Sequence, residues 1–321
     1  MKKIIPAVII ILLIPVFALC YVIYLRSSTI ISKQEAKEKL SLPESKFLTW
    51  RGGDVHYADE GSGFPVVMIH GLGGSLRNFG KIAELLKDDY RCIRVDLPGF
   101  GLSDMPPMTQ QIPDYGRMYR EFFRFFLDTL HLDSFYVMGN SMGGWMAWEI
   151  AARYPERVKK LVLLCSAGYD MEKIARRVSR GMNVDLMEKI SERGIPRYVT
   201  ENNVERCFAV DTRISPEEVD AAWMLNNREG NIHWLFELIR HRRQADTTLL
   251  TKISCPTLIV WGKQDEIISV EYAYRFQRDI PHNKLIIYED CGHVPMIEKA
   301  EQLERDFLEF ARKPNTVRSD S

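Results

Sequence analysis

The sequence predicts an α/β fold: a mostly parallel, doubly wound sheet that carries one helical insertion. Short apolar runs of strand length alternate with amphipathic stretches of helix length from residue 65 to 168, and the alternation resumes from 255 to 313. This alternation is typical of βαβ units, in which a helix connects two parallel strands. Between the two blocks, residues 169–252 have helical patterns almost throughout, so we expect them to form a cap over the sheet.

An uncharged apolar segment, residues 4–25, precedes this pattern and lies between Lys2-Lys3 and Arg26. As a helix with about 1.5 Å per residue, it is long enough to cross about 30 Å of hydrocarbon. A cleaved signal peptide is the alternative, but no small-x-small cleavage site follows the segment. We therefore predict an N-terminal transmembrane helix, residues 1–26, that anchors the protein to a membrane. Basic residues on both sides leave its orientation open.

The rest of the chain is predicted to be a linker, a folded domain and a tail. Residues 27–45 are polar and charged, as expected of a linker, and residues 314–321 form a polar tail that we expect to be disordered. The domain, residues 46–313, opens with a predicted hairpin at 47–61. The predicted strands that follow are 65–71, 90–99, 134–140, 158–168, 255–262 and 283–292. The predicted helices outside the cap are 79–89, 114–131, 143–155, 269–280 and 299–313.

Composition and spacing argue against several classes of function. Lys+Arg and Asp+Glu each number 43, which gives a formal net charge of zero, and no basic stripe with interleaved aromatic residues indicates a nucleic-acid partner. The six cysteines are scattered without a C-x-x-C pair, so neither a zinc site nor a redox pair is indicated. The stretch HGLGGS, residues 70–75, lacks the Walker and dinucleotide-binding patterns. We therefore expect no metal and no organic cofactor.

Ser141 lies in the stretch VMGNSMGGW, residues 137–145, between a predicted strand and a predicted helix. A G-x-S-x-G pattern at such a junction is typical of the turn called a nucleophile elbow. The serine of this turn has a strained backbone, and Gly139 and Gly143 lack the Cβ atoms that would clash there. The N-terminus of the following helix favours negative charge that develops beside it. We predict that Ser141 is a nucleophile.

A serine hydroxyl needs a general base, and the base needs an acid that orients it. His293, in EDCGHVPMIE, follows the last predicted strand and is the predicted base. Asp265 follows the strand TLIVWG, and functional side chains gather at the carboxyl ends of parallel strands, so it is the predicted acid. Glu266 and Asp170 are the alternative acids. The histidines expected to be structural or at the surface are His56, His131, His233, His241 and His282.

Two backbone N–H groups are needed to bind the carbonyl oxygen as it becomes negative. We expect one from Met142, the residue after the serine, and the other from Leu72 in the glycine-rich stretch, whose shape His70 is expected to support. Apolar residues of the cap are predicted to line an acyl pocket, although packing within the cap explains them equally well. These residues are Met182, Trp223 and Trp234.

Five stretches together resemble the α/β-hydrolase superfamily, in the family's order and from about Phe47 to Lys313: HGLGGS, DLPGFGLSD, GNSMGGW, WGKQD and CGHVPMIE. Haloalkane dehalogenases and soluble epoxide hydrolases look similar but carry an aspartate nucleophile, which Ser141 argues against. Among the serine hydrolases, WGKQD, DCGHVPMIE and the N-terminal apolar segment resemble membrane-anchored monoacylglycerol lipases and related bacterial lipases and esterases. That resemblance implies a carboxylic ester with a hydrophobic acyl group, such as a lipid, as substrate.

Two other functions stay open at this point. GNSMGG is similar to the corresponding turn of meta-cleavage-product hydrolases, which break C–C bonds with the same triad. Those enzymes usually have Trp after the catalytic histidine, whereas Val294 follows His293 here. The other possibility is a catalytically inactive hydrolase fold that serves as a binding protein.

Overall fold

The computed structural model of the chain describes residues 30–312, apart from 107–113, 171–183, 210–213 and 242–244, and also Pro15, Leu19 and Val22. Apart from these three positions, the predicted anchor lies outside the described residues, as does the predicted tail. Among the described residues, no helix combines the length and the apolar composition needed to cross a bilayer.

The described residues form one sheet of eight strands in the order β1-β2-β4-β3-β5-β6-β7-β8. β2 runs antiparallel to β1 and β4, and the remaining neighbours pair in parallel. The mostly parallel sheet predicted from the alternating pattern is therefore confirmed. The strands are β1 Ser45–Trp50, β2 Gly53–Glu60, β3 Phe64–Ile69, β4 Tyr90–Val95, β5 Phe135–Asn140, β6 Val158–Leu164, β7 Thr257–Gly262 and β8 Asn283–Tyr288.

Helices cover the sheet and build the insertion. Those outside the insertion are α1 Lys33–Leu40, α2 Gly80–Leu86, α3 Tyr115–Thr129, α4 Met142–Arg153, α9 Glu271–Asp279, α10 Pro295–Glu298 and α11 Ala300–Arg312. The helices in the described part of the insertion are α5 Val184–Ser191, α6 Arg197–Glu205, α7 Pro216–Asn226 and α8 Asn231–Arg240. Short 3₁₀ helices lie at Leu76–Phe79 and Thr247–Lys252. The helical character predicted for the insertion is thus found in its described part.

The core lies on both faces of the sheet. In β3, Val67 and Ile69 belong to one buried cluster, whereas Val66 and Met68 belong to another on the opposite face. Successive side chains of a strand point to opposite faces, so a strand covered on both sides needs apolar residues at every position. This explains why the central strands appear in the sequence as unbroken apolar runs.

The segment predicted to be a linker, residues 27–45, contains helix α1. The Ser32 side chain caps the helix by accepting the N–H of Glu35. Ala36 and Leu40 are buried in a cluster with Ala221 and Leu225 of helix α7. Residues four apart share one face of a helix. The polar residues around this narrow apolar face gave the segment the composition of a linker, and the linker prediction is wrong for these residues.

Candidate active site

Ser141 occupies the turn between β5 and α4 with a strained backbone, φ 55° and ψ −119°. A Cβ atom added at Gly139 would lie 2.2 Å from the Gly143 carbonyl oxygen, and one added at Gly143 would lie 2.1 Å from the Ile69 carbonyl oxygen. Only glycine fits at either position. Met142 is the first residue of α4, and the first N–H groups of a helix have no partner within it.

The His70 side chain fixes the glycine-rich loop after β3 through two hydrogen bonds. The Nε2 atom of this buried imidazole accepts the Leu97 N–H at 3.0 Å, so its Nδ1–H donates to the Gly71 carbonyl oxygen at 2.7 Å. Burial lowers the pKa of His70, and this effect is larger than the increase caused by the nearby Asp96 carboxylate. The ring is therefore neutral. A Cβ atom on Gly71 would lie 3.0 Å from Ser141 Cβ, so the loop runs close to the serine.

Asp265 and His293 are in direct contact. His293 Nδ1 lies 2.8 Å from Asp265 Oδ2, and both side chains are almost fully buried. The other carboxylate oxygen, Oδ1, accepts the N–H groups of Ile267 and Ile268 at 2.8 and 2.9 Å. With Nδ1–H donated to the carboxylate, the neutral imidazole carries its free electron pair on Nε2, as a general base requires.

Ser141 and His293 line one cavity of about 1000 Å³, together with Leu72 and Met142. The residue before the serine connects the two segments, because Asn140 Nδ2 donates to the His293 carbonyl oxygen at 2.9 Å and to the Leu164 carbonyl oxygen at 3.1 Å. The cap contributes apolar residues to the lining: Ala221, Leu225, Leu235, Phe236, Leu238 and Ile239. The arrangement suits nucleophilic attack on a carbonyl carbon whose substituent is apolar.

Two of the three predicted acyl-pocket residues, Trp223 and Trp234, do not lie where we expected. Neither Trp223 nor Trp234 is among the described residues that line the cavity, and Met182 lies outside the described residues. Trp223 donates its Nε1–H to the Ile195 carbonyl oxygen at 2.7 Å and packs toward helix α1. Trp234 packs against Gly99 and Tyr115. Trp223 contacts the cap residue Ile195, as the alternative of packing within the cap expects, whereas the contacts with Gly99 and Tyr115 place Trp234 against residues outside the cap.

The alternative acids have other environments. Asp170 Oδ2 lies 2.6 Å from Arg275 Nη1 and accepts the Tyr272 hydroxyl at 3.4 Å, both on α9. Glu266 is exposed. Of these three acids, Asp265 is the one that is hydrogen-bonded to His293.

A second serine, histidine and aspartate are in contact beneath the loop that follows β4. His56 Nδ1 lies 2.7 Å from Asp96 Oδ2, and His56 Nε2 lies 2.7 Å from Ser45 Oγ. Asp96 also accepts the N–H groups of Leu76 and Leu102. Burial alone would raise the pKa of Asp96, but its hydrogen bonds, first the one with His56 and then the one with the Leu76 N–H, lower it. None of the three is among the described residues that line the cavity, so this cluster orders a loop.

One described group of side chains has the spacing of metal ligands: the ligand atoms of Cys165, Asp265 and His293 lie within 4.8 Å of one another. Burial raises the pKa of the Cys165 thiol well above its usual value, whereas a metal binds the thiolate. Asp265 and His293 are also already bonded to each other. This group is better suited to hydrogen bonding than to holding a metal ion.

Comparison with known proteins agrees with this architecture. The family described as alpha/beta hydrolase fold matches residues 65–300. Lipase 1 of Psychrobacter immobilis is 32% identical over 282 residues, which cover 83% of this chain and 84% of that lipase. The 2-hydroxy-6-oxo-6-phenylhexa-2,4-dienoate hydrolase of Comamonas testosteroni is 28% identical over 269 residues, or 81% of this chain and 91% of that enzyme. The solved structure of a membrane phospholipase A has a TM-score of 0.69 at 25% identity and covers 97% of this chain and 98% of that one.

Proposed function

Because the chain belongs to the family of the alpha/beta hydrolase fold, we propose that it is a serine hydrolase that cleaves carboxylic esters with a hydrophobic acyl group. One observation carries the proposal. The strained Ser141 and the Asp265–His293 pair come from three separate parts of the chain, and the serine and histidine line one cavity with apolar cap residues.

In the proposed reaction, Ser141 Oγ attacks the ester carbonyl carbon while His293 Nε2 takes the hydroxyl proton. Asp265 holds the imidazole in the tautomer with its proton on Nδ1. The N–H groups of Leu72 and Met142 stabilise the negative oxygen of the tetrahedral intermediate. His293 then gives its proton to the leaving alcohol, and water, activated by the same imidazole, releases the acid from the acyl-enzyme.

Lipids are the substrate class that the apolar lining favours, and a monoacylglycerol is the substrate we propose. The similarity to Lipase 1 of Psychrobacter immobilis and to a protein titled membrane phospholipase A supports this choice. We also propose that residues 4–25 hold the protein at a membrane, because they form an uncharged apolar segment of sufficient length. A substrate that partitions into lipid would then be concentrated near the enzyme.

C–C bond hydrolysis is the second candidate, since the Comamonas dienoate hydrolase is also similar. Val294, which is buried and lines the cavity beside His293, stands where the resemblance to those enzymes implies a tryptophan. Turnover of a vinylogous diketone but of no ester would favour this candidate over the lipase.

A fluorophosphonate probe tests the nucleophile directly. We expect the wild type to be labelled and Ser141→Ala to be unlabelled. Ser45→Ala is the matched control, because Ser45 also contacts a histidine–aspartate pair but lies outside the described lining of the cavity. A wild type that resists labelling and cleaves no ester in a panel of monoacylglycerols and p-nitrophenyl esters would instead support a binding protein.

A further inference from the structure

The turn that ends helix α6, residues 207–209, lies directly against the loop that carries His293. The His293 N–H donates to the Cys207 carbonyl oxygen at 2.7 Å. The contact is close enough that a Cβ atom on Gly292 would lie 2.5 Å from the Cys207 carbonyl oxygen and 2.9 Å from the Ala209 nitrogen. The backbone of the proposed general base therefore rests on a segment of the cap.

Glu298 joins the same two segments with one carboxylate. Its Oε1 accepts the Gly292 N–H at 2.8 Å, and its Oε2 accepts the Ala209 N–H at 2.9 Å. The Cys291 thiol lies 3.7 Å from Oε1 as well. Hydrogen bonds from N–H groups to an ionised carboxylate are about twice as strong as those between neutral groups. The carboxylate therefore fixes the cap turn and the histidine loop relative to each other.

His293 is consequently held from both sides through its backbone. The cap turn accepts its N–H, whereas Asn140, next to the nucleophile, donates to its carbonyl oxygen. The hydrogen bond from Asn140 comes from strand β5 of the sheet and does not depend on the cap. If the hydrogen bond to the cap turn is lost, we expect the imidazole to shift relative to Ser141, and a misplacement of about 1 Å costs on the order of 100-fold in rate.

We propose that Glu298 is a positioning residue that couples the cap to His293, so that the conformation of the turn 207–209 sets the position of the base. Cys207 and Phe208 of this turn line the substrate cavity. A long acyl chain that fills the cavity therefore packs against the same turn and orders it. The coupling rests on the proposed serine-hydrolase chemistry and adds to it a route by which the substrate's acyl chain acts on the base.

Glu298→Gln tests the coupling with little change in shape. A glutamine offers one carbonyl oxygen and one NH₂ group, so one of the two backbone N–H groups faces a donor. We expect kcat for p-nitrophenyl acetate to fall about 10- to 100-fold with a smaller change in KM. The loss for a long-chain p-nitrophenyl ester is expected to be several-fold smaller, because its acyl chain orders the turn again.

Glu301→Gln is the matched control, since Glu301 lies nearby on α11 and forms a surface ion pair with Lys81 at 2.8 Å. Hydrogen–deuterium exchange gives a second readout that needs no turnover. In Glu298→Gln, but not in the control, exchange is expected to accelerate in peptides covering both 204–209 and 289–299.

Unchanged exchange in these two peptides overturns the proposal. So does an equal loss of kcat for short and long esters, because Glu298 would then act on the histidine loop through Gly292 alone, without the cap turn. If the wild type cleaves no ester and takes no fluorophosphonate label, the proposed function fails, and the exchange result alone decides whether Glu298 couples the two segments.

Discussion

Asp265 uses each of its carboxylate oxygens for a different task. Oδ1 accepts the N–H groups of Ile267 and Ile268, and Oδ2 accepts from His293 Nδ1. In Asp265→Asn, the amide oxygen stays with the two backbone donors and the NH₂ group faces Nδ1. The ring proton then moves to Nε2, which can no longer take the serine proton. We expect kcat for a short ester to fall by roughly 1,000- to 10,000-fold.

Glu266→Gln is the control for that measurement, because Glu266 is adjacent to Asp265, is exposed and is one of the two alternative acids. Circular dichroism should be the same for the two variants and the wild type. If Asp265→Asn kept more than a tenth of the wild-type kcat, Asp265 would not be the acid that orients the base.

The glycines around Ser141 are a steric requirement. In Gly139→Ala the new Cβ would lie 2.2 Å from the Gly143 carbonyl oxygen, a backbone atom that cannot move without moving the turn. We expect at least a 100-fold loss of kcat and a lower free energy of unfolding. In the control Gly80→Ala, the nearest atom is Arg94 Nη1 at 3.6 Å, and the substitution lies in helix α2. The control should keep its activity and its free energy of unfolding, because the added Cβ makes only an ordinary contact.

His70 makes stability depend on pH. Burial lowers its pKa, whereas the unfolded chain has the ordinary value of about 6.5. Below about pH 6.5 the unfolded chain therefore binds a proton that the folded protein does not, so this contribution to stability is present at higher pH and is lost as the pH falls. The free energy of unfolding in urea, measured from pH 8 to pH 5, should decrease less steeply in His70→Gln than in the wild type. Equal slopes would contradict a neutral, buried His70.

A residue of the candidate site could be predicted where neighbouring residues in the sequence indicate it, and could not where its contacts form only in the folded chain. Ser141, Asp265 and His293 each follow a strand, and the strand–turn context indicates them as candidates without any knowledge of packing. The contacts of Asn140 and Glu298 could not be predicted in the same way. Both lie inside stretches that the sequence singled out, but their partners are backbone atoms that only the folded chain brings near.

At the scale of elements, the helices of the cap show what a sequence pattern cannot predict, namely the partner against which an apolar helix face packs. Leu235, Leu238 and Ile239 of α8 recur at helical spacing and line the cavity, whereas Trp234 of the same helix packs elsewhere. The spacing pattern could have identified this face as apolar. It does not indicate whether an apolar face meets the sheet, another helix or a substrate, because that depends on how the cap helices are placed.

Helix α1 has few apolar residues, so its docking on the cap can be tested at a single buried position. Ala36 is fully buried against the cap, so Ala36→Glu places an unpaired carboxylate in an apolar contact. Glutamate is a good helix former, and the helix itself should persist. We expect the free energy of unfolding to fall by about 2–4 kcal/mol. Gln34→Glu, which adds the same charge at an exposed position of the same helix, should cost only a few tenths of a kcal/mol. Similar losses in the two variants would show that α1 is not docked.

For the molecule as a whole, the contacts of the first folded residues determine which part of the domain would lie next to the proposed membrane anchor. Ile31 forms a parallel bridge with Arg228 of the cap, and Lys33 of α1 forms an ion pair with Asp104 at 3.0 Å. The part of the chain next to the proposed anchor is thus joined to the cap, which also contributes residues to the cavity that Ser141 and His293 line. We therefore expect a chain that begins at Ile30 to fold and to keep the wild-type kcat for a soluble short ester. A chain that begins at Pro43 should be less stable, because it loses all of α1.

Flotation with phospholipid vesicles separates attachment from folding in these three proteins. The full chain should float with the vesicles, because it alone contains the apolar residues 4–25, whereas the chain that begins at Ile30 should stay in the soluble fraction. A full chain that remains soluble would contradict the anchor without affecting the proposed chemistry. Equal stability of the chains that begin at Ile30 and Pro43 would instead contradict the contact between α1 and the cap. The first result tests attachment to the membrane, and the second tests docking of α1 on the cap. Only if the full chain floats and α1 is docked does the fold place the cavity next to the membrane.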